Sequence, residues 1–165
     1  ANLQEQGATR FALDLRGNGG GLLEEGVEIA RLFLKDGIVI QRREKNGDVT
    51  TYAVKKTGAL ADISLVVLVD GGTASASEII AGSMQGHGRA PLIGVPTYGK
   101  DSIQYVFELS DESSLAVTSA KWWVPGLEPP IGEGGLQPDI AVSAENPEAF
   151  DPYLEAARQY FSENP

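Results

Sequence analysis

The chain contains no cysteine and only one histidine, His87, among its 165 residues. Without cysteine it can form neither a disulfide nor a thiolate nucleophile, and its composition carries no mark of an oxidising or reducing compartment. The acidic residues are scattered and show no metal-ligand spacing, so neither a metal nor another cofactor is expected. His87 falls near the end of a predicted helix, and we expect it to be a helix-terminal residue rather than a ligand.

Basic residues are also few: 13 lysines and arginines stand against 23 aspartates and glutamates, which gives a formal net charge of −10. Such a chain repels phosphates, so neither nucleic acid nor an anionic membrane is an expected partner, whereas a neutral or basic substrate is acceptable. No run of about 18 apolar residues is available to span a bilayer, and no positively charged start leads into an apolar stretch. The hydrophobic content of 42% is enough for the core of one domain.

The pattern of apolar residues predicts two units in which a strand leads into a helix. In the first, a buried strand at 10–16 ends in the turn Asn18-Gly19-Gly20-Gly21 before an amphipathic helix at 22–34. In the second, a continuous Val/Leu strand at 63–70 precedes a helix at 75–87. The segment between this second strand and its helix lies at a strand end, where α/β proteins place their chemistry.

Two hairpins and a terminal helix complete the predicted elements. Asn46-Gly47 is a strong hairpin signal between the predicted strands at 38–43 and 49–54. Because successive side chains on a strand alternate, one of the two neighbouring tryptophans, Trp122 and Trp123, should pack inward. The predicted strands are 38–43, 49–54, 91–95, 103–109 and 114–123, followed by an ordered loop at 126–139 and a docked helix at 146–161.

A serine, Ser75, directly follows the second unit's strand and stands among small residues. Gly71, Gly72 and Ala74 let a substrate backbone approach closely, and the amides at the start of the helix suit an oxyanion. The same segment, Ser75-Ala76-Ser77-Glu78, also fits the capping box, in which serine and glutamate side chains satisfy helix-terminal amides. The local sequence therefore allows two interpretations, a nucleophile and a helix cap.

A lysine, Lys100, closes the turn Thr97-Tyr98-Gly99-Lys100 just before another predicted strand. The spacing from Gly94 to Lys100 matches a phosphate-binding loop, but the next residue is Asp101 where Ser or Thr is needed for magnesium, and a strand follows where a helix is required. Nucleotide binding is therefore not expected. A solvated surface lysine is the simpler alternative to a functional one.

Five motifs in the same order resemble those of the carboxyl-terminal processing peptidases, also called tail-specific proteases. The resemblance runs from residue 11 to residue 140, and ordered motifs are more specific than any one alone. The motifs are Leu13-Asp14-Leu15-Arg16-Gly17-Asn18-Gly19-Gly20-Gly21, Val69–Ile79, Gly88-Arg89-Ala90, Thr97–Lys100 and Gln137-Pro138-Asp139-Ile140.

The resemblance implies that Ser75 is the nucleophile, Lys100 the general base and Gln104 the residue that orients the amine. It also implies an oxyanion hole built from the amide of Ala76 and from a glycine of the Asn-Gly-Gly-Gly turn, with Gly20 and Gly21 as the candidates. A free lysine has a pKa of about 10.4, so it accepts a proton only where its charged form is destabilised. An even separation places the Gln104 and Lys100 side chains on one strand face, while Asp101 should point away.

For the whole chain, the resemblance implies an α/β fold like the Clp protease and crotonase group, with repeated strand-strand-helix units. Relatives also carry a PDZ domain and an N-terminal helical part; we find neither in this sequence and expect residues 1–165 to be a catalytic-core fragment, from a parent in the bacterial periplasm or cell envelope. The expected substrate is a polypeptide, cleaved near its C-terminus through an acyl-enzyme.

Two departures from the family pattern stand out. Some relatives have an aspartate where this chain has Gly86, so the closer model is the set of members that depend on Ser, Lys and Gln. The residue after the lysine is commonly glycine, whereas here it is Asp101. Two rival functions are a catalytically silent module that binds a peptide or small apolar ligand on the same fold, and a crotonase-like acyl-thioester enzyme, which would not need the Ser75 and Lys100 pair.

Overall fold

The computed structural model describes residues 2–143 and 151–164. In chain order the elements are α1 (Asn2–Glu5), β1 (Arg10–Asp14), α2 (Leu23–Phe33), β2 (Ile38–Glu44), β3 (Val49–Ala53), β4 (Ser64–Val69), α3 (Ala76–Gly86), β5 (Leu92–Gly94), β6 (Ser102–Glu108), β7 (Ser114–Trp123), β8 (Ile140–Ala141) and α4 (Pro152–Glu163). No helix in these ranges is long and apolar enough to cross a membrane.

The strands form two sheets of different type. A parallel sheet has the order β1-β4-β5-β8, and an antiparallel sheet has the order β3-β2-β7-β6. The mixed α/β class and both hairpins predicted from the sequence are thereby confirmed. Strand β8 was not predicted, because two residues, Ile140 and Ala141, pair with β5 without any periodic pattern of their own.

Strand β4 shows how the core is divided between the two faces of the parallel sheet. Leu65, Val67 and Val69 face the larger apolar cluster, which contains α2, α3 and Trp122, whereas Val66 and Leu68 face a smaller cluster under α4. This alternation is the two-residue period of a strand that is buried on both faces. Helices α2 and α3 thus lie on one side of the parallel sheet and α4 lies on the other.

The structure corrects the predicted burial of the first strand and agrees with the predictions for the tryptophan pair and the terminal helix. The strand predicted at 10–16 is confirmed over Arg10–Asp14, but the prediction that it is buried is wrong, because β1 is an edge strand whose residues alternate between exposed and half-buried. Trp122 is buried and Trp123 is only half-buried, as alternation requires. The terminal helix is confirmed over Pro152–Glu163, and residues 146–150 of that prediction lie outside the described residues.

Candidate active site

Ser75 occupies the turn between β4 and α3 in a backbone conformation that serine rarely adopts. Its φ is +55° and its ψ is −120°, whereas an ordinary helix-capping residue has extended backbone angles. A left-handed φ on a non-glycine residue costs free energy and persists where the surrounding structure imposes it, often at a functional site. The same strained strand-to-helix geometry exposes the nucleophile of many hydrolases. Capping alone therefore does not account for Ser75.

The glycine turn predicted from the sequence lies directly against the Ser75 turn. The Ala74 amide donates to the Asn18 carbonyl at 3.0 Å. Asp70 reinforces this contact, since its Oδ1 accepts from the amides of Gly17 at 2.8 Å and Gly72 at 2.9 Å. Two strand ends that are remote in sequence are thus joined by hydrogen bonds into one surface.

Gly20 makes the closest approach to the serine turn. It has a φ of +92°, and a Cβ on it would lie 2.7 Å from the Ala76 nitrogen and 3.0 Å from the Ser75 Cβ. Only glycine fits there without displacing backbone. Gly21, by contrast, has open space around the position of a Cβ.

The amides of this turn differ in whether they already have a partner. The Gly20 amide donates to the Asn18 Oδ1 at 3.0 Å. Within the described residues, the amides of Gly21 and Ala76 have no acceptor, and Ala76 is the first residue of α3, where amides are not used by the helix itself. The unpaired Ala76 amide directly follows Ser75, and an amide without a partner suits a developing negative charge.

The carboxylate of Glu78 connects the serine turn to the lysine turn. Its side chain is fully buried, and its Oε2 accepts from the amides of Ser75 at 2.8 Å and Lys100 at 2.9 Å. Its Oε1 accepts from the Thr97 hydroxyl at 2.6 Å and the Gly99 amide at 2.7 Å. Four donors replace the water that a buried carboxylate loses, and bonds to a charged acceptor are stronger than neutral ones.

Lys100 and Gln104 lie on the adjoining segment. Lys100 is half-buried and precedes β6, whereas Gln104 is exposed on that strand. In the part of the chain that the structure describes, neither side chain has a hydrogen-bond partner. Asp101 is turned to Lys121, with Oδ2 and Nζ 3.0 Å apart, so its charge is engaged away from the lysine that precedes it.

The remaining candidates have structural roles. His87 ends α3, and its Nε2 lies 2.9 Å from the Ile38 carbonyl oxygen. Gly86 packs so that a Cβ would approach Val124 at 3.0 Å, which leaves little room for an acid at that position. The described residues contain no group of three or more His, Asp and Glu side chains that could hold a metal ion.

Sequence reasoning found most of the residues that the structure brings together, but not the full part played by Glu78. The capping-box pattern predicts its bond to the Ser75 amide. Its bonds to Thr97, Gly99 and Lys100 depend on chain segments about 20 positions away and have no local signal. Asp70 was likewise missed, since only the folded turn shows it between Gly17 and Gly72.

Comparisons with known proteins identify the family to which this sequence is similar. Residues 1–142 match the model of peptidase family S41. A carboxyl-terminal-processing protease of Picosynechococcus sp. is 48% identical over 143 residues, which is 87% of this chain and 34% of that protein. A carboxy-terminal processing protease of Bacillus subtilis is 39% identical over 163 residues, or 98% of this chain and 34% of that protein. The chain thus spans about a third of the length of these curated relatives.

A solved structure titled photosystem II D1 C-terminal processing protease has the same fold. It is 36% identical to this chain, superposes with a TM-score of 0.75, and is matched over 96% of this chain and 40% of its own length. Serine and lysine turns joined by a buried carboxylate are therefore set in a fold that a processing protease also uses.

Proposed function

Because the chain belongs to peptidase family S41, we propose that it forms the catalytic core of a serine endopeptidase that cleaves polypeptides near their C-termini. The observation that carries the proposal is the meeting of Ser75 and Lys100 at one oxygen atom of Glu78. Two segments 25 positions apart in sequence are held together there, one with a strained serine and one with a lysine. A helix cap and a surface lysine would not require that meeting.

In the proposed first step, the Ser75 Oγ attacks the carbonyl carbon of the scissile bond while its proton moves to the neutral amine of Lys100. The carbonyl oxygen becomes an oxyanion and accepts from the amides of Ala76 and Gly21. We favour Gly21 over Gly20 as the second donor, since the Gly20 amide is already bound by Asn18. Pre-aimed amides of this kind are among the larger contributions to catalysis.

In the second step, Lys100 returns the proton to the nitrogen of the leaving peptide as the carbon–nitrogen bond breaks. This leaves an ester on Ser75. Water then attacks the ester, with Lys100 taking a proton from the water and giving it back to Ser75 as the acid product leaves. Gln104 is proposed to orient the lysine amine through its amide oxygen without adding a charge. No metal or cofactor takes part in this proposal.

The substrate is proposed to be a polypeptide, and the location of the parent protein to be extracytoplasmic. Relatives named as processing proteases occur in bacteria and in chloroplasts. Fractionation of the source cells, followed by detection of the protein in each compartment, tests the location. Recovery in the cytoplasm would contradict that part of the proposal and leave the catalytic part unaffected.

The experiment that tests the activity is incubation of the full-length protein with an unstructured polypeptide and identification of the products by mass spectrometry. We expect fragments from cuts near the C-terminus with the wild type and none with Ser75→Ala. The buried neighbour Ser77 is the matched control, and Ser77→Ala should still cleave. Binding without cleavage by the wild type would favour the silent binding module instead.

A further inference from the structure

The glycine turn beside the serine contains a dipeptide that is prone to a spontaneous chemical change. Asn18 is followed by Gly19, and the only other asparagine followed by glycine in the 165 residues is Asn46, before Gly47. In such a dipeptide the glycine nitrogen can attack the side-chain carbonyl carbon of the asparagine, because glycine has no Cβ to obstruct the approach. The chain therefore holds two copies of one reactive dipeptide in different surroundings.

The two dipeptides are alike in exposure and in the bond that the asparagine side chain makes. Asn18 and Asn46 are both exposed. The Asn18 Oδ1 accepts from the Gly20 amide at 3.0 Å. The Asn46 Oδ1 accepts from the Asp48 amide, also at 3.0 Å. A donor on this oxygen stabilises the negative charge that develops there when the carbonyl carbon is attacked, so both dipeptides share this advantage.

The two dipeptides differ in the nitrogen that makes the attack. In the β2–β3 hairpin, the Gly47 amide donates to the Glu44 carbonyl at 3.0 Å. In the part of the chain that the structure describes, the Gly19 amide has no acceptor. The Gly19 nitrogen is thus free to turn toward the Asn18 Cγ, whereas the Gly47 nitrogen must first give up a hydrogen bond.

We propose that Asn18 deamidates in the folded protein and that this change inactivates the site with time. The Gly19 nitrogen forms a bond to the Asn18 Cγ, the Cγ–Nδ2 bond breaks, and the proton of the Gly19 amide leaves with Nδ2 as ammonia, which gives a succinimide ring. Because both reacting atoms belong to one turn, this step is intramolecular. Water then adds to either carbonyl carbon of the ring and opens it, so that residue 18 becomes aspartate or isoaspartate.

The consequence for activity rests on the proposed peptidase function and on the packing of the turn. The Asn18 carbonyl accepts from the Ala74 amide at 3.0 Å. In isoaspartate this carbonyl becomes a free carboxylate, and the chain continues through the former side chain with one more carbon. The longer turn shifts Gly20, which is packed so closely that a Cβ on it would lie 2.7 Å from the Ala76 nitrogen. Small displacements of groups around a reacting centre lower the rate steeply.

The test follows the full-length Ser75→Ala protein during incubation in mildly alkaline buffer below its unfolding midpoint. Peptide mapping by mass spectrometry measures the conversion of Asn18 and Asn46 to aspartate and isoaspartate. We expect Asn18 to convert about tenfold faster than Asn46, the scale of one backbone hydrogen bond. In denaturant the hairpin bond is lost, so Asn46 should speed up and the two rates should converge. Adding Gly19→Ala, which meets open space, should slow Asn18 alone.

A second measurement connects the conversion to activity. Protein with Ser75 intact and its Gly19→Ala variant are incubated in parallel, and cleavage of an unstructured polypeptide is assayed at intervals. Activity of the wild type should fall in step with the conversion of residue 18, whereas Gly19→Ala should keep its starting activity. The variant also controls for self-digestion, because it remains an active enzyme.

The proposal is overturned if Asn46 converts as fast as Asn18 in the folded protein. Conversion of Asn18 that Gly19→Ala does not slow contradicts it as well, since the Gly19 nitrogen would then not be the attacking group. Undiminished cleavage by wild-type protein whose residue 18 has been converted would show that the change does not inactivate the site. Because the conversion is measured in Ser75→Ala without turnover, failure here is distinct from failure of the peptidase proposal.

Discussion

The backbone amides of Ser75 and Lys100 donate to the same oxygen atom, Oε2 of the buried Glu78, at 2.8 Å and 2.9 Å. The backbones of the proposed nucleophile and of its proposed base are thus held by one shared acceptor atom. Because the Glu78 carboxylate binds both turns, we expect a substitution at Glu78 to change the distance between Ser75 and Lys100.

The first prediction concerns that carboxylate. Glu78→Gln replaces one oxygen by an NH2 group, which faces hydrogen-bond donors and cannot accept from them. We expect kcat to fall about a hundredfold, as small displacements of reacting groups do, with a smaller change in KM. The free energy of unfolding should fall by about 1–3 kcal/mol, since a buried donor loses its partner.

Steady-state kinetics and denaturant unfolding of the full-length variant check this prediction. Glu133→Gln, at an exposed loop position, is the matched control and should change neither quantity. Activity of Glu78→Gln close to that of the wild type would show that the carboxylate does not set the geometry.

The second prediction distinguishes the glycines of the oxyanion turn. Gly20→Ala places a methyl group against the Ala76 amide and the Ser75 Cβ, so activity should fall about a hundredfold or more, the scale seen when an oxyanion donor is lost. Gly19→Ala meets open space at a position without a left-handed φ and should remain active. Measuring kcat/KM for the two variants, with circular dichroism to confirm folding, tests this prediction. Similar values for the two variants would show that Gly20 is not part of the active site.

The predicted chemistry of the lysine gives a third test. Lys100→Arg keeps a positive charge of similar reach, but a guanidinium does not lose its proton in proteins and cannot act as a base. Turnover should fall to background while the thermal unfolding midpoint stays close to that of the wild type. Lys56→Arg, on an exposed segment, serves as the control. Peptide cleavage by Lys100→Arg would show that another group takes the proton.

A pH-rate profile of the full-length enzyme gives a fourth test. If the neutral amine of Lys100 is the base, the rate rises with pH as the amine loses its proton. His87→Ala should leave this rise in place, because the ring contacts the Ile38 carbonyl rather than the site. Asp101→Gly should shift the rise little, because the carboxylate is paired with Lys121. Loss of the rise in His87→Ala would mean that histidine is the base.

The strand that leads into the glycine turn allows a fifth prediction, about acid stability. Hydrogen bonds from Arg16 lower the pKa of Asp14 below its ordinary value. A carboxyl group with a depressed pKa in the folded state stabilises the fold above its unfolded pKa, and this contribution is lost as pH falls through the folded pKa. Asp14→Asn should therefore weaken the dependence of the unfolding midpoint on pH in the acidic range. Thermal unfolding from pH 6 down to about pH 2 measures this dependence. If the midpoint of Asp14→Asn falls with pH as steeply as that of the wild type, the prediction is contradicted.

The parts of the fold that the sequence predicted are those with a local signal. Asn46-Gly47 marks its hairpin, and the run from Ile63 to Val69 marks a buried strand, because both depend on neighbouring residues alone. Strand β8 has only two residues and is ordered by pairing with Ile93 and Gly94. The edge position of β1 is a property of the sheet and not of its own residues.

The candidate site also combines features that have a local sequence signal with features that arise only in the folded chain. Motif order was enough to single out Ser75 and Lys100, and the capping-box pattern anticipated the contact of Glu78 with the Ser75 amide. The left-handed φ of Ser75 and the shared carboxylate oxygen arise only when the two turns are packed together. Nothing within four residues of Glu78 signals its bond to Lys100.

The pairing of Ser75 with Lys100 can be tested by labelling the full-length protein with a fluorophosphonate probe, which reacts with activated serines, followed by peptide mapping. We predict one adduct on Ser75, abolished in Ser75→Ala and strongly reduced in Lys100→Arg, with Ser77 unmodified. An adduct on another serine, or labelling of Ser75 that is equally fast without Lys100, would contradict the claim that these two residues form the catalytic pair.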